Sequence, residues 1–166
     1  MRIIILATLL FSQTVYSANR GSRMEDQNYF KIARELIKRH EGFSSNIYKC
    51  TAGKLTVGYG HNLEARPVSK HIAELMLDED MKDFIEKANR YSWYSGLDDN
   101  RKAVIIDMMY NMGSLDDWRN FQDALSCKDW GRAVRSMQDS RWFSQVGIRA
   151  TELCSIMLTG STNGLE

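Results

Sequence analysis

The chain contains a single proline, Pro67, and its hydrophobic pattern changes character there. Before it, apolar residues come in one short helical stripe and two short β-type runs. After it, they recur at helical spacing almost to the end. Tyr29, Ala33, Leu36 and Ile37 lie at i, i+4, i+7 and i+8, with Lys31, Arg34, Glu35 and Arg39 on the other faces. This spacing predicts a helix from Tyr29 to Glu41, stopped by Gly42. Ile47-Tyr48-Lys49 and Leu55-Thr56-Val57 read as strands around a Thr51–Lys54 turn, a small hairpin. The glycines of Gly58-Tyr59-Gly60 then interrupt regular pairing.

Beyond Pro67, Ser69 is a candidate N-cap. Ile72, Met76, Leu77, Met81, Phe84 and Ile85 form the stripe of a helix running to about Ala88. Val104, Ile105, Met108, Met109 and Met112 mark a second, from Asp98 to Met112, with Gly113 as its stop. Trp118, Phe121 and Leu125 mark a third, and Trp130, Ala133, Val134 and Met137 a fourth. Ala150, Leu153, Cys154 and Met157 mark a last one, stopping near Gly160. Methionines at this spacing read as core filling rather than as a cofactor box. The expected class is α+β. A helix-plus-hairpin lobe at about 29–70 is joined by a bridging helix at about 69–88 to an all-helical lobe at about 90–160, with a tail at 161–166. A cleft between two such lobes is where a ligand is expected.

At 166 residues the chain can bury a real core, as one domain or two small lobes. Its formal net charge is only +1, with 26% charged residues, which argues against nucleic acid as a partner. The amino terminus differs from the rest. Met1-Arg2, the apolar run Ile3–Phe11 and a small-residue exit ending at Ser17 form the pattern of a secretory signal. The run is too short for a spanning helix, which needs about 20 apolar residues. The alternatives are a signal-anchor that associates transiently with the inner membrane before release, and a buried first helix. Residues 18–28 then read as a flexible segment. Export to the periplasm is the expected localisation. The three cysteines, Cys50, Cys127 and Cys154, show no Cys-x-x-Cys and no Cys/His ligand spacing, so zinc is not expected. Cys127 and Cys154 read as buried small hydrophobes, with a disulfide between them as the alternative.

The segment His40–His61 holds an acid, a thiol and a hydroxyl: Glu41, Cys50 and Thr56. Glu41 ends the first helix, Cys50 ends the first hairpin strand and Thr56 begins the second. A strand end and the facing strand start lie close across a tight turn. A helix end facing that hairpin brings the carboxylate towards both. Taken singly, each residue has a bland reading: a solvated charge, a core filler and a strand former.

Glu41-x8-Cys50-x5-Thr56 followed by Gly58-Tyr59-Gly60-His61 resembles the signature of the phage endolysin lysozymes, glycoside hydrolase family 24. The resemblance extends over Arg101–Gly113, Phe121–Leu125, Ser140–Gln145, Arg149-Ala150 and Thr159-Gly160. It implies a lysozyme-like fold and hydrolysis of the β-1,4 bond between N-acetylmuramic acid and N-acetylglucosamine in bacterial peptidoglycan. It implies no metal or organic cofactor, a monomer, and a role in phage lysis of the host cell. By the same resemblance Glu41 matches the general acid, which burial against the hairpin would help keep protonated. Arg149 matches a position near that acid. Thr56 matches the residue that holds the attacking water. His61 and Asp80 match a structural ion pair tying the hairpin lobe to the long helix. Asn62, Tyr110, Asn111 and Phe121 fall where substrate would lie, with a core role for Phe121 as the alternative. Cys50 stands where the family more often has Asp. A thiolate there acts as a base, giving inversion, or as a nucleophile, giving retention. The competing functions are a silent lysozyme-like module that only binds glycan and a thiol-based sensor. The disulfide cage of some exported relatives cannot form with a leader cysteine, because residues 1–28 contain none.

Overall fold

A computed structural model describes Glu25 and residues 27–163. The expected export segment at residues 1–17 lies outside the described residues. The chain divides into two compact units, residues 1–69 and 70–166.

The first unit holds α1 (Asn28–Glu41), β1 (Ser44–Lys49), β2 (Leu55–Gly58) and β3 (His61–Asn62). The strands form one antiparallel sheet in the order β1-β2-β3. Gly42, at φ 68°, ends α1, and its amide closes on the Lys38 carbonyl at 3.1 Å. None of the α1 residues is buried. The β1–β2 register pairs Tyr48 with Thr56 and Lys49 with Leu55. The turn between them is closed by Cys50 N–H to the Lys54 carbonyl at 3.0 Å and Gly53 N–H to the Cys50 carbonyl at 2.8 Å. β3 is a strand that the sequence reading did not find. It pairs Asn62 with Thr56 and His61 with Val57, so the glycine run is the loop of a second hairpin.

The second unit is helical: α2 (Lys70–Ala88), a 3₁₀ turn (Tyr94–Gly96), α3 (Asp99–Met112), α4 (Arg119–Ser126), α5 (Trp130–Gln138), α6 (Arg141–Val146) and α7 (Ile148–Thr159). With the sheet of the first unit this is the expected α+β class. α3 packs on α2 and α7, and α5 packs on α4, α6 and α7. Val104, Ile105, Met108 and Met109 of α3 meet Phe121, Met137, Ala150 and Met157 in a closed core. Caps set the helix limits: the Asp98 side chain accepts the Arg101 amide at 3.0 Å, and Gly113 and Gly160 end α3 and α7. Arg101 is itself buried. It donates to the Met157 and Leu158 carbonyls at the end of α7, pairs with Asp98, and lies 4.0 Å from the Trp130 ring centroid. Gly160 has no side chain because the Arg101 guanidinium occupies that space.

Two core expectations need correction. Met76 and Met81 are exposed, as are Ile72, Leu77 and Ile85; α2 meets the core of its own unit at its carboxyl-terminal end, through Phe84 and Ala88. Cys127 is exposed because it is the C-cap of α4, beyond the last buried turn. Cys154 is buried as read. All three thiols are free.

Candidate active site

Glu41, Cys50 and Thr56 all belong to the first unit, where the helix end, the turn and β2 position them. Glu41 is the last residue of α1 and is exposed, so the expected burial against the hairpin is not found. Its side chain does reach the hairpin. The carboxylate lies directly over Gly60, in the β2–β3 loop.

Cys50 is half-buried at the end of β1. The Lys54 and Ala52 backbone amides hold the Cys50 thiol below its ordinary pKa; partial burial opposes this, and the Thr56 hydroxyl adds to the lowering. The turn Thr51–Lys54 is therefore more than a connection: its amides stabilise an anion. Thr56 is 3% exposed and donates its hydroxyl proton to the Lys54 carbonyl at 3.0 Å. Its lone pairs remain free to accept from a donor. The arrangement thus joins a thiol biased towards thiolate to a hydroxyl that can accept a hydrogen bond.

Two residues brace this turn that the sequence reading passed over. Glu64 accepts from the Leu55 amide at 3.2 Å and from Lys54 Nζ at 2.8 Å, and Lys54 keeps its carboxyl below the usual range. Opposite charges at positions 54 and 64 become a visible pair only once β3 is placed beside β2. Asn62 Oδ1 accepts the Glu64 and Ala65 amides, both at 3.0 Å, so its carbonyl is committed to a turn. Its amide nitrogen remains for other contacts. His61 Nε2 meets the Arg66 carbonyl at 2.7 Å.

The remaining expected residues belong to the second unit. Asp80 is exposed on α2. Tyr110 and Arg149 line one cavity of about 580 Å³ with Leu77, Met81, Ile85 and Ile106. Tyr110 meets Phe84 edge to face. Arg149 Nε pairs with Asp107 Oδ1 at 2.8 Å, and its Nη2 donates to the Asp107 carbonyl at 3.2 Å. Asp107 was not singled out from sequence; nothing local distinguishes it from a solvated helix charge. Asn111 Oδ1 accepts Trp142 Nε1–H at 3.0 Å, which anchors α6 to α3. Phe121 is a core residue, not a wall of the site: it is 0% exposed and packs edge-on against Trp118.

The thiols should differ in reactivity for the same physical reasons. Brief alkylation of the native protein near neutral pH is expected to label Cys50 first, Cys127 more slowly, and Cys154 only after unfolding. Burial pushes the Cys154 thiol up to about 11, and the amides push Cys50 down. Peptide mapping after timed quenching reads the order. Equal labelling of Cys50 and Cys127 would refute an activated Cys50.

Comparison with known proteins places this geometry in context. The family model described as "Phage lysozyme" matches residues 38–153. That span includes Glu41, Cys50 and Thr56. The chain is 26% identical to the protein named "Probable T4-type lysozyme 1" of Dictyostelium discoideum over 167 residues, covering 80% of this chain and 97% of that one. It is 36% identical to an endolysin of Acyrthosiphon pisum secondary endosymbiont phage 1 over 81 residues, which is 47% of this chain and 55% of that protein.

Proposed function

The chain belongs to the phage lysozyme family, and on that premise we propose that it hydrolyses the β-1,4 bond between N-acetylmuramic acid and N-acetylglucosamine in bacterial peptidoglycan. Glu41 is the general acid, delivering a proton to the leaving glycosidic oxygen. Cys50, as thiolate, acts on the opposite side of the bond, as base towards water or as nucleophile towards the sugar carbon. Thr56 holds the attacking water through its oxygen lone pairs. The observation that carries this reading is the Cys50 turn. There the turn's amides, with the Thr56 hydroxyl adding to them, hold the Cys50 thiol below its ordinary pKa, which suits a reactive sulfur better than a space filler. Tyr110 and Arg149, sharing one cavity, are the side chains of the second unit best suited to meet sugar and carboxylate groups. Export through residues 1–17, transient membrane association, action as a monomer and a role in host lysis belong to the same proposal; the endolysin relative supports the last of these.

Purified peptidoglycan is the test. Digestion should release soluble muropeptides whose reducing ends are N-acetylmuramic acid, converted by borohydride to the muramic acid alditol. Reducing ends of glucosamine would assign a different bond. Sedimentation of the protein with intact sacculi and no release would leave the binding-module reading in its place.

A further inference from the structure

We propose that Gly60 is a positioning residue for Glu41, setting where the acid's carboxylate sits by leaving it room above the backbone. The inference rests on the reading of Glu41 as the general acid. A Cβ at position 60 would lie 2.8 Å from Glu41 Oε2, 3.2 Å from Cδ and 3.4 Å from Cγ. The side chain of Glu41 therefore lies along the Gly60 backbone at a distance that only glycine permits. Within the first unit, among the described residues, no hydrogen bond or ion pair to the carboxylate accompanies that contact. The space a Cβ would take at position 60 is where the carboxylate sits.

The consequence differs from ordinary glycine strain. Gly58, the last residue of β2, and Gly60, in the β2–β3 loop, flank Tyr59 at φ 67° and φ 74°. Any L-residue at either position meets a left-handed backbone. A Cβ at Gly58 finds open space, whereas one at Gly60 meets the acid. The two glycines therefore separate strain from displacement. Because the obstructed atom is the free end of a flexible side chain, relief at position 60 comes from moving the carboxylate rather than unfolding the loop. A shift of about 1 Å in a reacting group is enough to cost about 100-fold in rate.

The experiment compares Gly60→Ala and Gly58→Ala, with thermal melting, kcat and KM on soluble peptidoglycan fragments, and the side-chain carboxyl carbon signal of Glu41. Both variants should lose similar thermal stability. Gly60→Ala alone should lower kcat about 100-fold with KM unchanged, and alone should move the Glu41 carboxyl signal. Gly60→Asn keeps the Cβ while tolerating the left-handed backbone, so it carries the test if Gly60→Ala does not fold. Equal losses of kcat at positions 58 and 60, or an unmoved Glu41 signal in Gly60→Ala, would overturn the proposal. If the wild type releases no muropeptides while the Glu41 signal moves in Gly60→Ala alone, the contact stands and the glycosidase reading falls.

Discussion

Glu41→Gln is expected to abolish release of muropeptides, lowering the rate about 1,000-fold or more, while leaving thermal stability unchanged. Loss of a positioned proton donor costs on the order of 10² to 10⁴ in rate. Glycosidic cleavage lies at the upper end of that range because the leaving alkoxide is a poor one without its proton. Glutamine matches glutamate in length and shape, so the contact over Gly60 survives the substitution. It carries no proton that can be delivered. The side chain is exposed, so its replacement removes no core packing. Turbidity of a cell-wall suspension and a melting curve decide the matter together. Clearing at the wild-type rate by the well-folded variant would remove Glu41 from the mechanism.

Replacement of Cys50 should produce the second largest effect and should depend on pH. Cys50→Ser is nearly isosteric but does not ionise in the working range, and its rate should fall about 100-fold or more, the usual cost of a lost base. Cys50→Asp supplies a carboxylate in the same turn and should retain most activity. The sign of the pH dependence follows from the shift. The Lys54 and Ala52 amides lower the Cys50 pKa, so the active thiolate is populated as pH rises through that lowered value and is lost below it. The wild-type rate should therefore fall on the acid side with a midpoint below that of an ordinary thiol. Cys50→Asp should move the acid limb down towards the carboxylate range, and Thr56→Val should move the wild-type limb up, because the Thr56 hydroxyl contributes to the lowering. A wild-type limb that stays in place in Cys50→Asp would refute the assignment. Product anomers from the wild type then separate the two roles, inversion for a base and retention for a nucleophile.

Much of this architecture was legible because it depends on neighbours in sequence. The stripe of α3 and its two ends are local facts: Asp98 accepts the Arg101 amide, and Gly113 supplies the left-handed stop. The first hairpin was legible for the same reason, since its turn lies between two apolar runs. The two-residue strand β3 was not, because a strand that short carries no alternation and exists only by pairing with Thr56 and Val57. The short helix α6 likewise depends on a cap at Ser140, which accepts the Phe143 amide, and on Trp142 reaching Asn111.

The site divides in the same way. Residue type and spacing set Glu41, Cys50 and Thr56 around one helix end and hairpin, and the resemblance to the phage lysozymes is what singled them out. Sequence by itself determined the α+β class, the ends of the helices whose caps are local, and, through the family resemblance it carries, the identity of these three groups. Only the tertiary structure decided their environments. It lowered the pKa of the Cys50 thiol through the amides of its turn, laid Glu41 over Gly60, committed Arg149 to Asp107 and sent Phe121 into the core. The physical reason is range. Caps, turns and amphipathic stripes arise from interactions within a few residues, whereas ionisation, steric clearance and burial depend on what distant segments bring within a few ångströms.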